Sequence, residues 1–360
     1  MKIIIAGSGQ VGSHLAKLLS YESQEITLID SNDEKLTFPN SQLDIRVVEG
    51  DCTSISILNK ANVADADLFI GVTAAEAVNL TACYLAKQLG AKKTIARISN
   101  PELKENDNID FSELGISELI SPEILTSKEI NMAINRAEFT DPFEFEGGAL
   151  ITLGLSATHT STFVGKTVVE AAEIFPETHF FPISIKRDEK TIIPRGDTVF
   201  HSGDHIVFMT EPGGEEELLK LSGQNNGVIK NVMILGGGRV GKKVAQDLSS
   251  NNFNVKLVEI DKDRAEELAE DLENCLVIYG DGTNTELLDE ESLDQMDSFI
   301  AVTGDSEDNI MSSLIAKSKG INKTIALVDN LDYYKLTQIS GIDTLINKKL
   351  LAADAISKHV

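Results

Sequence analysis

The sequence predicts an α/β protein in which two parallel-sheet domains flank a small α+β module. Three observations carry that prediction. At both ends of the chain, short apolar runs alternate with helical patterns, as in βαβ units. The pattern G-x-G-x-x-G occurs twice, as Gly7-Ser8-Gly9-Gln10-Val11-Gly12 and as Gly236-Gly237-Gly238-Arg239-Val240-Gly241. Between the two copies the texture changes to β runs separated by Pro, Gly and Asp turns.

The repeat stays in register through the elements that follow. Lys2–Ala6 matches Asn231–Leu235 as a buried first strand, and Glu25–Asp30 matches Asn254–Glu259 as the second. The third strand and its loop are VVEGDCT (47–53) and VIYGDGT (277–283). The fourth is LFIGVT (68–73) and SFIAVT (298–303), and TIA (94–96, 324–326) begins the fifth. Helical patterns over 12–19, 54–58 and 77–89 have partners over 241–248, 285–288 and 309–319. A last helix is expected over 122–136, and the second copy ends inside its equivalent, at Val360. A glycine-rich turn between a strand and a helix in a parallel sheet with right-handed crossovers is Rossmann-like.

The middle module is expected to hold strands at 148–156 and Phe180–Arg187, with a helix capped by Ser161 or Thr162 and running to about Phe175. Short β runs within 191–210 are bounded by turns at Pro194-Arg195-Gly196-Asp197 and Ser202-Gly203-Asp204. The expected division is 1–138, 139–222 and 230–360. The boundary stretch 212–230 holds Pro, Gly and Asn around one short helix.

Composition excludes several classes of function. Acids outnumber bases 57 to 32, a formal charge of −25, which argues against broad contact with nucleic acid or an anionic leaflet. The three cysteines, Cys52, Cys83 and Cys275, have no C-x-x-C spacing, so neither a disulfide framework nor a cysteine zinc site is expected. No apolar run approaches the ~20 residues of a membrane span, and the start lacks a secretory signal, so the expected location is cytoplasmic.

The glycine turns suggest phosphate binding. Gly7 and Gly236 would permit the tight turn, and Gly9 and Gly238 the close approach of phosphate oxygens. Gly12 and Gly241 would let helix pack on strand. Free N–H groups and the helix dipole would hold the anion. Asp30 and Glu259 end the second strands, where a carboxylate accepts ribose hydroxyls and repels a 2′-phosphate, favouring NAD or adenosine nucleotides over NADP. Asp51-Cys52-Thr53 and Asp281-Gly282-Thr283 would lie against the adenine, and Thr73 and Thr303 near phosphates or the second ribose; for each of these residues a turn or cap role is the alternative. Asp261 reads as a solvated strand-end acid.

The copies differ at their phosphate ends. Arg97 in the first copy is Leu327 in the second, and Gln10 is Arg239. A guanidinium at the mouth suits terminal phosphates. Neither a metal-ligand cluster nor a catalytic constellation is read. The six histidines, His14, His159, His179, His201, His205 and His359, are scattered, and no nucleophile elbow, Walker A lysine or H-E-x-x-H is present.

With these motifs in place, the chain resembles the TrkA family of RCK/KTN proteins (regulators of K⁺ conductance) in Trk-type potassium uptake. GSGQVG, VEGDCT, IGVT and IARISNPE carry the likeness in the first copy, and Pro194-Arg195-Gly196-Asp197 with Ser202-Gly203-Asp204-His205 carries it in the middle. The resemblance implies RCK N-terminal domains on either side of a TrkA-C module. The resemblance also implies a second C-terminal module, as two-unit members carry, which this chain is expected to lack. It also implies a regulatory, non-enzymatic subunit that binds NAD(H) and ATP/ADP. That subunit would gate a membrane-embedded K⁺ transporter subunit (TrkH/TrkG-like) from the inner face of the cell membrane. Pairing through the helix at 122–136, with Ile124, Ile130, Ala133 and Ile134, is implied, as is a homo-oligomer, a dimer or tetrameric ring. Two other readings remain open: an NAD-dependent oxidoreductase using the middle module as substrate domain, and a structural ring subunit with vestigial pockets.

Overall fold

A computed structural model describes all residues except 23, 107, 138, 146–147, 175–179, 189, 224–228, 331–332 and 334–340. His179, Phe175 and the boundary residues 138 and 224–228 therefore lie outside the described residues. The chain divides into one unit of Met1–Ile130 with Val232–Val360 and a second of Asn131–Asn231.

The first unit contains both repeats. In the first copy the strands are β1 (Lys2–Ala6), β2 (Glu25–Asp30), β3 (Arg46–Glu49), β4 (Leu68–Gly71), β5 (Lys93–Arg97) and β6 (Glu118–Ile120). The helices are α1 (Gln10–Ser20), α2 (Asp33–Gln42), α3 (Ile55–Lys60), α4 (Glu76–Gln88), α5 (Glu102–Glu105) and α6 (Pro122–Asn135). The strands pair in parallel in the order β3-β2-β1-β4-β5-β6. The order reverses between β1 and β4, which opens the crevice where such sheets bind ligands. β1 and β4 are apolar nearly throughout because both faces of the sheet are covered. One core, with Ile4, Phe69 and Cys83, fills one face; the other gathers Ile3, Ile5, Leu15 and Leu19.

The second copy repeats the plan. Its strands β12 (Asn231–Leu235), β13 (Asn254–Glu259), β14 (Cys275–Tyr279), β15 (Ser298–Ala301), β16 (Lys323–Leu327) and β17 (Thr344–Ile346) take the order β14-β13-β12-β15-β16-β17. Its helices are α9 (Arg239–Ser250), α10 (Lys262–Asp271), α11 (Thr285–Glu290), α12 (Ser306–Ser318) and α13 (Lys348–Ser357). α13 does not stay with its own sheet. Ala352, Ala353 and Ile356 enter the core of the first copy beside Leu15, Ala16 and Leu19 of α1. Lys243 of α9 pairs with Glu105 at 2.9 Å, and Lys93 Nζ lies 3.3 Å from His359 Nδ1. These contacts form a seam between the two copies.

The second unit is an antiparallel sheet in the order β10-β9-β11-β8-β7, made of β7 (Thr140–Phe145), β8 (Leu150–Ser156), β9 (Phe180–Arg187), β10 (Lys190–Ile192) and β11 (His205–Thr210). α7 (Val168–Ile174) and α8 (Glu215–Ser222) accompany it, around a core that includes Phe139, Phe163, Phe200 and Phe208. Arg187 grips Asp204 with two bonds of 2.6 and 2.7 Å, and the His201 amide donates to the same carboxylate at 2.8 Å. Burial alone would raise the Asp204 pKa, but these bonds and the guanidinium charge outweigh it and hold the carboxyl below its usual range.

Several expectations need correction. The helix in the middle module starts at Val168, not at Ser161 or Thr162. Ser161 Oγ instead accepts from the Thr158 amide and donates to the Ser222 carbonyl, and it is Thr167 Oγ1 that accepts from the Glu170 amide. α2, α10 and β7 had no predicted counterpart. The third strands stop at Glu49 and Tyr279, because Gly50, at φ +152, turns the chain and Gly280 follows the second-copy strand at the same place. Among the described residues no helix is long and apolar enough to cross a membrane.

Candidate functional site

The crevice between β1 and β4 holds a cavity of about 750 Å³. Of the residues singled out in the first copy, Gly7, Gly9, Gln10, Val11, Asp30, Asp51, Cys52, Thr73 and Arg97 line it. Ser8, Gly12 and Thr53 do not, and they shape it from behind. The Ser8 amide donates to Asp30 Oδ2 at 2.7 Å, and its hydroxyl donates to the Lys35 carbonyl at 2.9 Å. Thr53 donates its amide and hydroxyl to Asp51 Oδ1, both at 2.8 Å, and these two bonds hold the Asp51 carboxyl below the usual range.

The glycines differ in what surrounds them. Gly7 sits at φ +111, and a Cβ there would come 2.8 Å from the Thr73 nitrogen. A Cβ on Gly12 would stand 1.8 Å from the Gly7 carbonyl oxygen, where α1 crosses β1. A Cβ on Gly9 would meet nothing within 4 Å. Gly9 caps α1 with no side-chain bond to its first amides, so these face the cavity free for an anion. Asp30 also accepts from the Asn32 amide at 2.9 Å, which orients its carboxylate at the tip of β2. A nucleotide's phosphates and ribose match this set: open backbone at Gly9, a fixed carboxylate at Asp30, and a cavity of ligand size. Arg97 extends from the end of β5, and its Nε is buried with no hydrogen-bond partner.

Two groups in the site are set against reactivity. Burial, with Asp51 adding its charge, pushes the Cys52 thiol up to about 11, so it stays protonated at neutral pH. Thr73 spends its hydroxyl on Asn79 Oδ1 at 2.7 Å and on the Ala75 carbonyl at 3.2 Å, which is a turn role.

The second copy repeats much of this geometry. Gly236 lies at φ +102 against Thr303, and a Cβ on Gly241 would stand 1.8 Å from the Gly236 oxygen. The Gly237 amide donates to Glu259 Oε2 at 2.7 Å, and Glu259 Oε1 accepts from Asp261 at 2.9 Å. Gly238 caps α9 without a side-chain bond, Arg239 is exposed, and Val240 is buried. Thr283 binds Asp281 through its hydroxyl and amide, lowering that carboxyl too. Gly282 leaves no room, since a Cβ would meet Leu235 at 2.1 Å. Thr303 donates its hydroxyl to Asn309 at 2.8 Å, as Thr73 does to Asn79. Asp261 caps α10 by accepting from the Arg264 amide, so it is a structural cap.

Sequence reading missed two sets of residues. Asn79 and Asn309 are fully buried; each accepts from the amide and hydroxyl of its threonine and donates to the carbonyl that ends the fifth strand, Arg97 or Leu327. Their presence at the same place in both copies was the available signal. Asp329, Lys348 and Lys349 of the second copy line the first copy's cavity. Nothing local in the sequence announces that approach. Glu76 accepts from the Asn100 and Ser99 amides at 2.9 Å, and with the Arg239 charge from the second copy these hold its carboxyl low.

Two parallel sheets with this strand order, each with a glycine turn and an acid at the tip of its second strand, define a pair of Rossmann-type nucleotide folds. The comparisons give the family. The TrkA-N domain model matches residues 3–122 and 232–348, and the TrkA-C domain model matches 155–223. The chain belongs to the TrkA family. It is 36% identical over 366 residues to the Trk system potassium uptake protein TrkA of Haemophilus influenzae, covering 100% of this chain and 79% of that one. A TrkA homolog of Archaeoglobus fulgidus is 31% identical over 358 residues, covering 99% and 80%. Among solved structures, the crystal structure of the GsuK RCK domain superposes with a TM-score of 0.71 at 18% identity, covering 99% of this chain and 76% of that one. The GsuK channel bound to NAD gives 0.71 at 19%, covering 99% and 63%.

Proposed function

We propose that this chain is the regulatory subunit of a Trk-type potassium uptake system, divided at 1–138, 139–222 and 230–360 into two RCK N-terminal domains around a TrkA-C domain. It binds NAD(H) and ATP or ADP at the glycine turns and gates a membrane-embedded K⁺ transporter subunit (TrkH/TrkG-like). It works from the cytoplasmic face as a dimer or tetrameric ring, and it is not an enzyme. The observation that carries this reading is the first cavity itself, with open amides at Gly9, the fixed Asp30 carboxylate and Arg97 in its lining, in a chain related to TrkA proteins over its full length. The adjoining Cys52 thiol and Thr73 hydroxyl support binding over catalysis, since neither is activated.

Within the site, the glycine-turn residues 7–12 and 236–241 hold phosphates, Asp30 and Glu259 hold ribose, and the loops at 51–53 and 281–283 border the adenine. A ligand shifts a conformational equilibrium only by its difference in affinity for the two states. Moving a population from 1:99 to 99:1 needs about 5.5 kcal/mol of such difference, which several sites contributing about 1 kcal/mol each can supply. Calorimetric titration of the full chain with ATP, ADP and adenosine, alongside small-angle scattering, tests the proposal. ATP and ADP should differ in affinity and in the shape they select, and Arg97→Ala should shrink that difference while sparing adenosine. Equal affinities with identical shapes would overturn it.

A further inference from the structure

We propose that the first pocket is completed from across the seam: Lys348 and Lys349 of the second copy bind the terminal phosphates of a nucleoside di- or triphosphate held by the first. The proposal rests on the nucleotide-binding reading above and specifies its ligand.

Both lysines, from the second copy, line the cavity, as does Arg97 of the first copy. They stand at the start of α13, whose first amides are already taken, because Asn347 Oδ1 accepts from the amides of Lys349 and Leu350 at 3.0 Å each. Anion binding here therefore falls to the ammonium groups and not to the helix end. Those groups are loosely held. Lys348 Nζ lies 3.9 Å from Glu123, beyond hydrogen-bond reach. Lys349 Nζ donates to the Asp329 carbonyl at 3.2 Å and stands 3.5 Å from its carboxylate. Each ammonium keeps donors to spare. The two carboxylates position the lysines and offset part of their charge, and Arg97, with its unpartnered Nε, leaves the cluster net positive.

The other side of the pseudo-symmetric pair differs at the positions that carry this charge, although Arg239 stands there where the first copy has Gln10, and Ser306 where it has Glu76. The repeat places Leu327, Pro122 and Glu123 where the first pocket has Arg97, Lys348 and Lys349. It also places Asp305, Glu307 and Asp308 where the first copy has Ala75, Ala77 and Val78. Burial and the charges of Asp305, Asp281 and Glu307 raise the Asp308 pKa, the mark of a site already rich in negative charge. These carboxylates weaken the second pocket's hold on a free polyphosphate relative to the first.

The test is a phosphate ladder. Adenosine, AMP, ADP and ATP are titrated into the full chain and into a Lys348→Gln/Lys349→Gln double variant, with thermal melts checking that both are folded. In the unaltered chain, affinity should rise along the ladder and saturate with one polyphosphate nucleotide per chain. In the double variant the gain from AMP to ATP should fall at least about tenfold, with adenosine within about twofold. Should the double variant fail to fold, Lys348→Gln alone, which breaks only the 3.9 Å pair with Glu123, should still flatten the ladder. An undiminished ladder in a folded variant overturns the lysine assignment and leaves the nucleotide reading intact. Absence of any adenine-nucleotide binding by the unaltered chain overturns that reading as well.

Discussion

Two glycines in one turn separate folding from binding. A Cβ on Gly12 would collide with the Gly7 carbonyl oxygen at 1.8 Å, and both atoms are backbone-anchored. Gly12→Ala should therefore cost about 1–3 kcal/mol in chemical denaturation. A Cβ on Gly9 meets no protein atom within 4 Å, so Gly9→Ala should leave the melting temperature nearly unchanged and weaken nucleotide binding, because the methyl projects into the phosphate's approach. A Gly9→Ala protein that binds ATP normally would remove the phosphate from this turn. The spacing of the glycines was legible in the sequence, as was the acid at Asp30. For Thr53 and Thr283 the sequence left a turn role and an adenine contact both open, because composition cannot tell them apart; each hydroxyl and amide closes on the neighbouring carboxylate as a turn.

At the scale of elements, the central strands β1, β4, β12 and β15 could be read because each is a short run buried almost throughout, whereas the edge strands β3 and β14 are partly exposed and were read from the repeat. α2 was not. It contains Pro39 and buries only Leu36 and Pro39, so its apolar stripe is too thin to show a helical period. α10 was hidden by charge, with Ala265 and Leu268 as its buried residues. The placement of α13 is a tertiary fact, invisible in a periodicity that would look the same on either core. Ala352 is fully buried there against α1. Ala352→Leu should overpack the seam by about 1–3 kcal/mol. It should also split the calorimetric unfolding of the two copies into separate transitions; a single unshifted transition would show that the contact does not couple them.

At the scale of the whole molecule, the Arg187–Asp204 pair is one source of acid-dependent stability. The folded pKa of Asp204 is lowered, so its contribution is fully present above the ordinary value of 3.8 and is lost as pH falls through the lowered one. Scanning calorimetry of the full chain should find this contribution constant from pH 7 to 5 and declining only below about pH 4. Asp204→Asn, which leaves the guanidinium with no partner charge, should cost about 3–5 kcal/mol at pH 7 and flatten that acid dependence. A variant as stable as the parent at pH 7 would show the pair to be dispensable.

The seam has a consequence for how this molecule could have diverged. When two identical chains pair about a twofold axis, any substitution on one side of the contact is imposed on the other, and both pockets must change together. Here the two partners are covalently one chain, and the same structural position holds a lysine on one side, Lys349, and a glutamate on the other, Glu123. Within one chain that symmetry constraint is absent, so the two sides of the seam can carry charges of opposite sign at one structural position without a compromise between them.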